Sequence, residues 1–240
     1  MINQYTVPIG KAAELIGVSV KTLRRWDKSG KFRSFRYKST GNRYYSQEDI
    51  DLFLNDPVAI ARQWAFSSNP KQPKPDFHCR MRDVFQARLE TFQNKLTKSM
   101  SDDEASLITA ITGEIGNNSF DHNLGNWPDI LGIFFSPTPN REIVLADRGR
   151  GILFTLGRID STLKTHTQAL TVAFTKVISG RSPEVRGNGL KFVKNVVIAN
   201  PIKLSFQTGD ALLELSEEKN QVNVKKTQQA IRGCFAIIKY

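Results

Sequence analysis

The apolar positions of this chain follow two periods, one of about 3.6 residues and one of two, and the elements they mark fall into two groups. Ile9, Ala12, Ala13 and Leu15 lie on one side of a helical wheel, which predicts a short amphipathic helix over 7–15. Gly17 ends it, and Ser19 suits the N-cap of a second helix, SVKTLRRWDKSG, closed by Gly30. KFRSFRYKSTGNRYY then alternates aromatic and basic residues about Thr40–Gly41–Asn42, the pattern of a hairpin, with Phe32, Phe35 and Tyr45 expected in a small core. SQEDIDLFL is a further helix capped by Ser46, and a short helix over 56–66 continues from it. SSNPKQPKPD, with three prolines, reads as a semi-extended linker.

The second group opens with a predicted helix over 77–100, in which Phe85, Leu89, Phe92 and Leu96 form an apolar stripe expected to pack in a core. The next helix, SDDEASLITAITGEIGNNSFDH, starts at Ser101 with three acids in its first turn and buries Leu107, Ile108, Ile111 and Ile115. ILGIFFSP and REIVLAD read as strands either side of Pro139–Asn140. A mobile segment from Leu153 with a helix near Thr167–Ile178 is expected next, followed by a helix over Leu190–Ile198. KLSFQTG, ALLEL, QVNVKK and GCFAIIKY complete a mostly antiparallel sheet.

Composition narrows the function class. The 240 residues can bury a sizeable core, and the net charge of +11 with a pI near 9.7 favours a polyanionic partner, nucleic acid first. No apolar run reaches the ~20 residues that span a bilayer, and MINQYTVPIGKAAEL lacks the order of a signal peptide. Cys79 and Cys234 make neither a disulfide framework nor a zinc site. A cytoplasmic protein with no membrane partner is expected.

In the first group, helix, Gly-containing turn, basic helix and hairpin are the parts of a winged helix-turn-helix. GVSVKTLRRWDKSG and GNRYYSQEDIDLFL resemble the DNA-binding domain of the MerR regulators, over about the first 55 residues. The resemblance implies duplex DNA as partner. Lys21, Arg24, Arg25 and Lys28 on the second helix, with its cap Ser19, and Arg36, Lys38, Arg43 and Tyr44 on the wing are the candidate contacts. Trp26–Asp27 departs from the Tyr-Tyr-Glu-like run usual in that family.

The second group carries GEIGNNSFDHN, ADRGRGI and RGNGLKFV in that order. Glu114, Asn118 and His122 are spaced i, i+4, i+8 and share one helix face with Asp121 beside it. Such a column is either a solvated polar face or a set of groups that can activate water and hold a hydrated divalent ion. The ordered trio resembles the histidine kinase, gyrase, chaperone and MutL ATPase superfamily (GHKL, the Bergerat fold) over about the last 140 residues. It implies Mg-ATP as cofactor. Glu114 would polarise water, Asn118 would help hold Mg²⁺, and Asp147 would select adenine beside Gly149 and Gly151. Gly187, Gly189 and Leu190 would begin the phosphate helix. Arg186 and Lys191 are phosphate contacts or plain surface charge, and His122 orients a phosphate or is an ordinary surface histidine. Cys234 stands where a Thr is usual.

Together the resemblances imply an α+β chain: a winged helix-turn-helix domain over 1–55, a short helix and linker over 56–76, and an α/β sandwich of Bergerat type over 77–240. The function implied is an ATP-binding transcription regulator whose nucleotide state controls DNA binding or dimerisation. Hydrolysis is expected to be slow or partner-dependent, since Tyr240 ends this sequence before any following domain supplies a lysine. A DNA-tethered Ser/Thr kinase and an adaptor with an inactive site and a protein partner are the alternatives.

Overall fold

Two compact units divide between Ile60 and Ala61. A computed structural model describes residues 6–36, 41–123, 125–176 and 189–240, so Lys38, Arg186 and Gly187 lie outside the described residues.

The first unit runs β1 (Thr6–Pro8), α1 (Ile9–Ile16), α2 (Val20–Lys28), β2 (Phe35–Arg36), β3 (Arg43–Ser46) and α3 (Gln47–Asn55). Gly17 ends α1 with φ 75°, a left-handed turn in which a side chain would be strained. Ser19 caps α2 by accepting from Thr22 N at 3.1 Å, and Ser46 caps α3 by accepting from Asp49 N. Ile16, Leu23, Tyr45 and Ile50 fill the core under the helices. Two expectations are corrected. The first helix begins at Ile9, because Thr6–Pro8 pairs antiparallel with β3, a three-residue strand too short to show a period. Phe35 is 37% exposed, since it stands on the opposite side of the hairpin from Tyr45.

A continuous helix, α4 (Pro57–Phe66), crosses the division between the units. In the second unit β4 (His78–Cys79), α5 (Arg82–Leu96), α6 (Asp102–Asn123), β5 (Ile133–Thr138), β6 (Glu142–Asp147), α7 (Gly151–Gly157), α8 (His166–Thr175), α9 (Gly189–Ala199), β7 (Lys203–Thr208), β8 (Ala211–Leu215), β9 (Val224–Lys226) and β10 (Cys234–Lys239) follow. The strands form one antiparallel sheet in the order β4-β5-β6-β10-β7-β8-β9. Side chains alternate across it. Phe135, Leu145, Phe206 and Ala236 meet the helices in the main core. Phe134, on the other face, stacks on Phe77 at 5.2 Å and meets Trp64, while Arg62 lies over Phe235 at 5.0 Å. The fold class is the expected one, α+β with a small winged unit and an α/β sandwich.

The semi-extended proline-rich stretch is tied to the second unit at its C-terminal end, where Arg88 binds the carbonyls of Pro75 and Asp76 at 2.6 and 3.0 Å. Prolines lack a donor but keep an acceptor, and a guanidinium satisfies it. Two local expectations are corrected here. The helix expected from Phe77 begins at Arg82, because His78 and Cys79 pair with β5. The segment after Gly151, expected to be mobile from Leu153, is helical as α7 and buries Leu156.

α6 explains its own glycines. A Cβ on Gly116 would overlap the ring of Phe85, which is fully buried, and one on Gly113 would come within 3.1 Å of a Leu89 methyl. Gly116→Ala gains up to ~1 kcal/mol of helix propensity but forces the ring out of place, at about 1–3 kcal/mol. We expect a net loss of stability in urea unfolding for Gly116→Ala and a smaller effect for Gly113→Ala, where a flexible methyl can yield.

Candidate functional site

The column Ile111–Ile115 of α6 continues at i+4 as Ser119 and Asn123, so the buried face turns polar in its last two turns. Ser119 Oγ donates to Asp147 Oδ2 at 2.7 Å, and Gly149 N donates to Asp147 Oδ1 at 2.7 Å. Asn123, also buried, donates to Ser119 O at 2.7 Å and accepts from Arg150 N at 2.9 Å. A Cβ on Gly149 would overlap the Asn123 amide, and one on Gly233 would overlap the Asp147 carboxylate. The end of β6 and the turn after it are therefore held against α6 by close approach and hydrogen bonds. Gly151 makes the next turn with φ 75°, and Thr208 Oγ accepts from Ile152 N at 3.3 Å and donates to Gly233 O at 2.9 Å.

Asp147 is 2% exposed. Burial raises its carboxyl above the ordinary value, against the pull of the Ser119, Gly149 and Cys234 hydrogen bonds. Burial, and then the Asp147 carboxylate, push the Cys234 thiol well above its ordinary range. The adjoining face of α6 carries Glu114 and Asn118, both half-buried. The Glu114 carboxylate lies where a Cβ on Gly189 would have to go, with Asn118 Nδ2 3.6 Å from that point. Gly189 starts α9, Leu190 packs against the main core, and Lys191 is half-buried.

The structure thus brings Glu114, Asn118 and Gly189 together, and sets Asp147 and the turn with Gly149 and Gly151 against Ser119 and Asn123 of α6. Asp121 is placed differently from expectation: it pairs with Arg82 of α5. His122 is exposed. Ser119, Asn123 and Thr208 carry more of the site than their places in the sequence suggest. The signal available for the first two is the polar continuation of an apolar column.

In the first unit Lys21, Arg24, Arg25 and Lys28 are exposed on α2 around the buried Leu23, and Arg36 is exposed on the hairpin. Arg43, expected on a phosphate, binds Asp27 of α2 at 2.6 Å, and Asp27 also accepts from Ser34 N at 2.9 Å. Burial raises the Asp27 carboxyl, but the Arg43 and Ser34 bonds outweigh it and hold the group below its ordinary value. Tyr44 is half-buried and stacks on Phe35. Ser19 is engaged as a helix cap.

Residues 7–55 match the family model of the MerR HTH family regulatory protein. They are a MerR-family helix-turn-helix region. The chain also has a curated relative: over 145 residues, 58% of this chain, it is 27% identical to the type II methyltransferase M.Eco47II of Escherichia coli. The chain spans 32% of that relative's length. Among solved structures, 63% of the chain is similar to 38% of the 43K ATPase domain of Thermus thermophilus gyrase B in complex with an aminocoumarin, at 16% identity and a TM-score of 0.37.

The raised pKa of Asp147 has a testable sign. Between the unfolded value near 3.8 and the raised folded value, the folded state binds a proton that the unfolded chain has released. Falling pH through that window therefore adds stability. Urea unfolding of wild type and Asp147→Asn at stepped pH should show their difference shifting in favour of the wild type as pH falls. The Asp27 contribution, lost only below the ordinary carboxylate range, cancels in that difference.

Proposed function

We propose that the chain is a DNA-binding regulator of MerR type whose second unit binds ATP with Mg²⁺, and that nucleotide controls DNA binding or dimerisation. The observation that carries the nucleotide half is the buried Asp147 carboxylate. Its Oδ2 accepts a hydrogen bond from Ser119 Oγ and its Oδ1 from Gly149 N. A carboxylate offers about four acceptor sites, so capacity remains for an exocyclic amino group such as that of adenine. Glu114 and Asn118, which meet at the start of α9, supply hard oxygen donors of the kind that hold Mg²⁺ alongside phosphate oxygens.

When bound, Mg-ATP supplies the reactive phosphoanhydride and its counter-ion. The chain's residues do the rest. Asp147 would accept the base amino group, and Ser119 and Gly149 keep the carboxylate in one orientation. Asn118 would help hold the ion, and Glu114 would be placed to accept a proton from water at the phosphate end. Gly189 leaves room for the Glu114 carboxylate. Lys191, beside Gly189 at the start of α9, would lie at the phosphate end in this reading.

The DNA half rests on the family region and on the exposed cations of α2. Lys21, Arg24, Arg25, Lys28 and Arg36 neutralise phosphates, and release of counter-ions makes binding steeply salt-dependent. Arg43 acts on DNA indirectly, by fixing the hairpin to α2 through Asp27. Two copies at paired half-sites double the number of phosphates neutralised, and nucleotide-favoured dimerisation would raise their effective concentration.

Calorimetry should show Mg-ATP binding that Asp147→Asn weakens by about 1.5–3 kcal/mol, the worth of a charge-assisted hydrogen bond. Absence of heat and of thermal shift at millimolar nucleotide would refute the site. Glu114→Ala should keep nucleotide and lose most phosphate release, a base being worth ~10²–10⁴-fold. Label from ATP appearing on a protein instead of as free phosphate would move the assignment to a kinase. For DNA, Arg24→Ala with Arg25→Ala should weaken retardation of all sequences and lower the salt slope by about one for each phosphate no longer neutralised. Retention of wild-type affinity would refute the interface.

A further inference from the structure

Arg148 follows Asp147 directly, yet its side chain belongs to a different part of the unit. It is 2% exposed. Its Nη1 donates to the carbonyls of Trp64 and Ala65 at 2.6 and 3.2 Å, the last turn of α4. Its Nε and Nη2 bind Asp129 Oδ2 at 3.0 and 2.9 Å, and its guanidinium lies 6.0 Å from the centre of the Trp64 ring. A cation set on the last carbonyls of a helix satisfies acceptors that have no partner within the helix and opposes the negative end of its dipole. The group is strongly committed. A buried guanidinium that loses its partners becomes an uncompensated charge, so the turn carrying Arg148 and the end of α4 must shift together or not at all.

The same turn is fixed on its other side to the proposed nucleotide site. Asp147 is bound to Ser119 and Gly149, and Arg150 N to Asn123. α4 is also the covalent connection to the first unit, since the units divide within it. We propose that Arg148 is a positioning residue that ties the 147–151 turn to the C-terminal end of α4, so that occupancy of the nucleotide site is registered at the helix leading from the DNA-binding unit. This rests on the nucleotide reading given above.

The test is hydrogen exchange by mass spectrometry on the full chain, with and without a non-hydrolysable ATP analogue and Mg²⁺. In wild type the analogue should slow exchange about fivefold or more, the lower end of an ordinary coupling, both at 147–152 and at 61–68. Arg148→Met, which keeps the bulk and removes the charge, should keep protection at 147–152 and lose it at 61–68. Protection confined to 147–152 in wild type, or full protection at 61–68 in Arg148→Met, overturns the coupling alone. No protection at 147–152 in wild type overturns the nucleotide reading and the coupling with it. Should Arg148→Met fail to fold, Asp129→Asn removes the counter-charge that Arg148 shares with the more distant Arg232, 3.9 Å away. It should at least halve the change at 61–68, and an unchanged response there overturns the proposal.

Discussion

The second unit depends on how closely α5 lies against α6. At Gly116 the ring of Phe85 occupies the space of a side chain, so the two helices meet nearer than any other residue at that position would allow. With α5 seated there, α6 meets the rest of the unit along three further lines. Ile108, Ile111 and Ile115 enter the main core. Ser119 and Asn123 hold the turn after β6, and Glu114 lies against the start of α9. A polar column on a helix clamped from three directions has little freedom to drift.

Much of this is legible in the chain. The 3.6-period stripes of α5 and α6 and the alternation of β5 and β6 mark their own elements, because long periodic segments leave little choice. The column of Glu114 and Asn118 and the strand-end Asp147 are visible for the same reason. What cannot be read that way is non-local. Nothing near Asp121 in sequence marks Arg82 as its partner, and nothing near Arg43 marks Asp27. His78 and Cys79 form a strand only because β5 offers an edge to pair with. Prolines at 70, 73 and 75 suggest solvent, yet an arginine side chain from α5 holds the C-terminal end of the stretch down.

The charge excess also distributes less simply than its motifs suggest. Residues 1–60 carry ten Lys and Arg against six Asp and Glu, and residues 61–240 carry twenty-four against seventeen. Part of that second set is engaged within the chain: Arg88 on backbone carbonyls, the buried Arg148 on α4 and Asp129, and the exposed Arg82 on Asp121. Sequence charge counts these as available to a polyanion, while the structure uses them to satisfy acceptors. The cations of α2, by contrast, are exposed.

The ends of the large sheet have a consequence for how copies of the chain can meet. One margin is β4, two residues long; the other is β9, three residues long and ending in two exposed lysines. A strand recruits another strand by offering an extended row of unpaired amides and carbonyls, and brevity and lysine both deny that row. Sheet extension between molecules is thereby discouraged, which protects the chain from fibre-like stacking and leaves helix and loop surfaces as the places where two molecules would join.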